Sequence, residues 1–246
     1  MNWKLLVRNA KFKILKSNRI STYLNAFKHK SVLELGGPSL VFSSNILGLI
    51  PIYNVASHFA NVNFDYYTIW EKKINTGNTF KFDNRTGEQF IMEATNLVEI
   101  EDGQFDGLVS SHCLEHVSNP IKAVLEWKRV IKNDGYILII VPNKHETFDH
   151  RRDYTTFEHL VSDFENAVKE DDMTHYDEIM KLHDRTKDRG LIGVDFEIRS
   201  KDNLKNRCLH HHVFNDDLMQ KLADFTSLKL VQMDTFGVHL VYLLRK

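Results

Sequence analysis

Over the first 145 positions, short apolar runs alternate with longer polar or amphipathic stretches. Strand-like runs lie at 32–35, 52–56, 90–92, 105–110 and 136–141. A helix is predicted over 120–131, with Asn119 as its cap, Pro120 at its first position and Asn133-Asp134-Gly135 as a turn beyond its end. Strand and helix in alternation predict a parallel sheet. Near the C-terminus, 216–225 has a helical pattern, and 228–233 and 238–244 read as two strands. Gly237 between them marks a hairpin turn, so these two strands are expected to pair antiparallel at one edge.

Two segments break the alternation. Residues 1–19 space Trp3, Leu6, Val7, Ala10 and Ile14 among Lys4, Arg8, Lys11, Lys13 and Lys16, the pattern of a basic amphipathic helix. Residues 146–207 are polar and dense in Asp, Glu, His and Arg, with apolar positions sufficient for two short helices near 156–170 and 175–186 but not for a core of their own. An excursion leaving the carboxyl end of a strand in an open α/β sheet lies over the crevice where such sheets bind ligands, so this segment is expected to be a lid that shapes a substrate pocket. The chain therefore divides into an N-terminal helical segment (1–29), a core (30–145 and 208–246) and a lid (146–207).

Composition narrows the partners. A chain of 246 residues with 42% apolar content and four prolines can bury a sizeable core. With 32 basic against 33 acidic residues, it has no electrostatic case for nucleic acid. Two cysteines, Cys113 and Cys208, are too few for a disulfide framework and lack metal spacing, which suits a cytoplasmic location. No apolar run approaches the roughly 20 residues of a membrane span.

The candidate chemistry begins at Val32-Leu33-Glu34-Leu35-Gly36-Gly37-Pro38-Ser39. An apolar strand runs into a glycine pair, whose backbone can take positive φ and carries no side chain to hold a ligand away. By itself this is equally an ordinary turn.

Several motifs in one order say more. The first motif is followed by Glu93-Ala94-Thr95, by Ser110-Ser111-His112-Cys113-Leu114-Glu115-His116-Val117, by Trp127-Lys128-Arg129-Val130-Ile131-Lys132 with Gly135, and by Val141-Pro142-Asn143-Lys144. With these, residues 30 to 235 resemble class I S-adenosylmethionine-dependent methyltransferases. Phe148-Asp149-His150-Arg151-Arg152, Glu170 to His175 and His210 to Phe214 resemble the subgroup found in bacterial capsule and lipopolysaccharide gene clusters. The resemblance implies a Rossmann-like, seven-stranded sheet with helices on both faces and a helical lid inserted after strand five. It also implies S-adenosylmethionine as cofactor and S-adenosylhomocysteine as product. Glu34, Gly36, Gly37 and Pro38 would then lie at the amino-acid end of the cofactor, Glu93, Ala94 and Thr95 at its adenine, and Ser111 and His112 at its methionine part. The acid that usually ends strand two is absent from 55–63, which leaves Asn61 and Asn63 as neutral partners for the ribose.

Methyl transfer needs alignment of nucleophile, methyl and sulfur, and a base when the nucleophile is a hydroxyl. Histidine suits the second role. His150 beside Asp149, with His211 and His212, are the catalytic candidates. His145, Arg151, Arg152, His175 and His210 are the candidates for substrate contact. An extended backbone would turn His210 and His212 to one side and His211 to the other, and at least one is expected to face the pocket. Asp149, Asp171, Asp172, His175 and the triple histidine are also metal-capable, but no spacing matches a metal motif, so a divalent metal is the less favoured alternative.

The activity expected is O-methylation of a sugar or activated sugar. The alternatives are a phosphoryl or phosphoramidate acceptor, which Arg151, Arg152, Arg185 and Arg207 would serve, and a non-catalytic scaffold that keeps the fold. A nicotinamide-dependent dehydrogenase ranks third, since it would need a fuller glycine fingerprint.

Overall fold

A computed structural model describes residues 19–45, 48–71, 73–188 and 195–246. The amphipathic pattern of 1–18 lies outside them. The described chain opens in helix (19–27, α1).

Eight strands form one sheet: β1 (Ser31–Leu35), β2 (His58–Asn63), β3 (Gly77–Phe82), β4 (Arg85–Ile91), β5 (Phe105–Ser111), β6 (Ile131–Pro142), β7 (Lys229–Phe236) and β8 (His239–Arg245), in the order β3-β4-β2-β1-β5-β6-β8-β7. The five strands β4, β2, β1, β5 and β6 are parallel, and β8, β7 and β3 run antiparallel to their neighbours. The expected seven strands become eight because β3 and β4 form a hairpin through Asp83, which takes a left-handed φ of 47°. The sequence reading caught only the far end of β4. Its second strand was also misplaced: Ile52, Tyr53 and Asn54 form a 3-10 turn, and sheet pairing starts where His58 meets Ser31. The apolar 52–56 stretch is instead core, with Tyr53 packed edge-on against Phe59, ring centroids 5.0 Å apart. Asn133-Asp134-Gly135 does not end the connection either. It is absorbed into β6 as an irregularity in the pairing with β5.

Each face of the sheet carries a core. On one, α2 (Pro120–Val130), α3 (Phe157–Glu165) and a C-terminal helix (Asp216–Phe225) set Trp127, Leu160 and Leu222 against Leu33, Ile137 and Ile139. On the other, Tyr23 and Phe27 of α1 join Phe42, Ile52 and Tyr53 against Val32, Val109, Leu138 and Ile140. Period-2 alternation along β1 and β6 thus serves two apolar layers at once, as expected for central parallel strands.

The insertion holds α3, α4 (Tyr176–Leu182), α5 (Phe196–Lys201) and α6 (Asn203–Asn206), so the C-terminal helix is α7. The two predicted lid helices are present but shorter than read, and α5 and α6 are additional. Few apolar residues of the insertion are buried, Leu160 and Ile179 among them. Much of its interior is polar: Arg152, fully buried, donates to Asp149, Glu178 and the carbonyl oxygens of His210 and His211.

Candidate functional site

A cavity of about 400 Å³ opens at the carboxyl ends of β1, β2, β4 and β5, at the point where the strand order reverses between β1 and β5. Its floor is the loop after β1. Gly36 has φ +76°, and a Cβ on Gly37 would stand 2.3 Å from Cδ of Glu34, so only glycine fits there without displacing that carboxylate.

Glu34 lies beneath this loop and does not line the cavity. Its carboxylate accepts from the Ser39 amide at 2.9 Å and from the Tyr53 hydroxyl at 2.7 Å, and burial pushes its pKa up to about 8. Asn61, also buried, accepts from the Gly37 amide at 2.9 Å and donates to the Gly37 carbonyl at 3.2 Å. Both residues therefore hold the glycine loop in shape. Gly36, Gly37, Pro38, Asn63, Glu93, Ala94, Ser111 and His112 line the cavity, and Thr95 does not.

Sequence reasoning missed Phe64, Thr68, Trp70 and Glu71, which reach the cavity from the segment after β2. Trp70 packs edge-on against His116, centroids 5.6 Å apart. The signal was legible as two aromatics and an acid just past the strand whose end lacked one, but a misplaced strand hid it.

From the insertion come Glu170 and Arg207. Arg207 adopts a left-handed φ of 52° and reaches back to Glu93, Nη2 to Oε1 2.5 Å, while Nη1 donates to the Glu170 carbonyl at 2.9 Å. Burial raises the Glu93 pKa against the opposing pull of Arg207.

On the other wall stand His112 and His116. The two ring nitrogens of His112 are taken up: Nε2 meets His239 Nδ1 at 2.8 Å, and Nδ1 lies 3.4 Å from Glu115 Oε1. His116 Nδ1 faces the Leu209 carbonyl at 3.1 Å, and its Nε2 lies 4.0 Å from Oε1 of the buried Glu115. Burial, with the charge of His210 beside it, lowers the His116 pKa to about 3, so that ring stays neutral. His210 packs behind it, centroids 4.6 Å apart, and pairs through Nδ1 with Asp149 at 2.5 Å. Burial of His210 is outweighed by Asp149, and its pKa rises. Burial of Asp149 is in turn outweighed by His210 and Arg152, which bring its carboxyl down to about 2. Glu115, His116 and His210 bring one ligand atom each within 4.8 Å of one another, a set with the donors for a divalent ion.

The remaining candidates sit away from the cavity. His150 pairs with Asp184 at 2.9 Å, and Arg151 joins the same carboxylate at 3.1 Å. His145 bonds Tyr154 at 2.9 Å. Arg152 is locked in the ion network above. None of His210, His211 and His212 faces the cavity; they lie one layer behind it, His211 against Asn203 and His212 against Ser118. His175 joins His159 at 3.1 Å in the insertion.

A model of a methyltransferase domain matches residues 54–139, from the turn before β2 to the middle of β6. That segment is similar to a methyltransferase domain. No curated protein matches the chain. Among solved structures, an S-adenosylmethionine-dependent methyltransferase from Mesorhizobium loti superposes with a TM-score of 0.53 at 10% identity, covering 92% of this chain and 95% of that one. A putative S-adenosylmethionine-dependent methyltransferase from Listeria monocytogenes gives 0.50 at 14% identity, covering 94% and 97%. At these identities the likeness is one of fold, and it covers far more of the chain than the domain match.

Proposed function

We propose that the protein transfers the methyl group of S-adenosylmethionine to a hydroxyl of a sugar or activated sugar in surface-polysaccharide biosynthesis. The observation that carries this is the two-sided cavity. One side is the glycine loop, Asn63 and Glu93, suited to the cofactor. The other is His116, with the His210–Asp149 pair behind it, roofed by the insertion.

In this reading the base moves from His150, His211 and His212 to His116, the imidazole placed to take a hydroxyl proton as the methyl arrives. Alignment contributes about 7–11 kcal/mol, and a ring held down at about 3 adds less than a base poised near neutrality. His210 and Asp149 act on His116 by position, and Glu71 stands in for the acid that β2 lacks. A hydroxyl is favoured over a phosphoryl acceptor because three of the four arginines that would grip an anion are ion-paired, Arg151 with Asp184, Arg152 with Asp149 and Glu178, and Arg207 with Glu93, while Arg185 stacks on Phe196 away from the cavity.

Calorimetric titration with S-adenosylmethionine and S-adenosylhomocysteine tests the cofactor half. Micromolar binding, weakened in Glu93→Ala, is expected. Absence of binding would turn the reading to a scaffold domain. Methyl transfer to a panel of nucleotide sugars and sugar phosphates, read from labelled cofactor, tests the acceptor half.

A further inference from the structure

Beneath the insertion, away from the cavity, three more histidines converge. His159 lies on α3, His175 caps α4, and His212 lies on the segment that returns to the core. One nitrogen of each ring lies within 4.8 Å of the other two. His159 Nε2 stands 3.1 Å from His175 Nε2 and 3.3 Å from Asp163 Oδ2. Donors around a tetrahedral ion with bonds of 2.0–2.1 Å stand about 3.3 Å apart.

Hydrogen bonding alone does not satisfy this group. His175 Nδ1 faces Glu178 at 3.5 Å, and His212 Nε2 faces the Ser118 carbonyl at 3.3 Å, so the protons of these rings sit on those nitrogens. His159 Nε2 then has one proton for two acceptors, His175 Nε2 and Asp163 Oδ2. Asp163 Oδ2 and His212 Nδ1 remain buried without a hydrogen-bond partner, and His212 is 1% exposed. Orphaned buried acceptors cost about 1–3 kcal/mol each. A single cation would satisfy them together, with Glu178 and Ser118 orienting two of the rings from behind.

We propose that His159, His175, His212 and Asp163 bind one zinc ion that fastens the insertion to the core. Three neutral imidazoles and one carboxylate are a zinc set; calcium and magnesium want oxygen. The four residues join α3, the start of α4 and the return segment, which share little apolar core. None of them lines the cavity, so the ion is structural and independent of the methyl acceptor.

The test uses the full chain. Zinc content is measured after purification, and the chelator-stripped protein is titrated with Co(II) and read by its visible spectrum. One equivalent per chain, a tetrahedral cobalt spectrum, and affinity lower by about 100-fold or more in His159→Asn and His175→Asn are expected. His116→Asn, in the other histidine cluster, is expected to keep the ion. His159 is the safest substitution because its side chain is 38% exposed. Failure of the wild-type protein to take up zinc or cobalt at micromolar concentration overturns the proposal. So does a site lost in His116→Asn and kept in His175→Asn.

Discussion

Arg207 Nη2 lies 2.5 Å from Glu93 Oε1, tying the last turn of the insertion to the end of β4 at the cavity wall. The pair sets the position of the carboxylate expected to meet the adenine. It also makes the insertion part of the cavity wall. In Arg207→Met, S-adenosylhomocysteine affinity by calorimetry is expected to fall about tenfold, equivalent to about 1.4 kcal/mol. Unchanged affinity would make the pair purely structural.

Gly37 has no room for a methyl group, since Glu34 is held from below by Ser39 and Tyr53. Gly37→Ala is expected to displace the loop and abolish cofactor binding at micromolar concentration, with a stability loss of about 1–3 kcal/mol in urea unfolding. Gly237→Ala meets open space and leaves cofactor binding intact.

Glu34 gives a signed pH dependence. Its pKa is raised from 4.5 to about 8 in the fold, so the folded state favours the protonated form. That contribution is fully present below the unfolded value and is lost as pH rises through the window up to about 8, at roughly 1.4 kcal/mol per unit. Glu34→Gln keeps an acceptor and removes the charge. Urea midpoints of the variant are expected to flatten between pH 5 and 8 relative to the wild type; parallel curves would refute the assignment.

His116 and His150 separate the two catalytic assignments. His116→Asn is expected to lower kcat about 100-fold or more on the true acceptor while cofactor affinity holds, whereas His150→Ala, whose partner is Asp184 outside the cavity, loses at most a few-fold. The reverse pattern would restore His150 as the base.

Arg152 is the buried hub of the insertion. Arg152→Met leaves Asp149 without its arginine and two carbonyls without their donor, and a loss of about 3–5 kcal/mol is expected in thermal or urea unfolding.

The doubly wound sheet, the helix capped by Asn119 and the glycine loop were legible because each is written in a local code: an apolar run, a cap with proline behind it, a glycine pair after a strand. The β3–β4 hairpin was not, because Phe80 and Phe82 give too weak an alternation among polar neighbours to outweigh the 52–56 run as a candidate strand. That apolar run became core instead, where Tyr53 reaches Glu34.

The site divides in the same way. The resemblance carried by the sequence motifs implied that Gly36, Gly37 and Glu93 would share one site, and they line one cavity at the ends of β1 and β4, on either side of β2. His112 was placed at the cavity by its motif, but that His116 joins it and His210, His211 and His212 do not was decided by tertiary structure. Thirteen histidines share one residue type and one intrinsic pKa. What distinguishes His116, His210 and His159 is burial and a neighbour far away in the chain: Leu209 for His116, Asp149 for His210, His175 for His159. Such neighbours are created when the polar insertion folds back onto the sheet, and no local pattern encodes them.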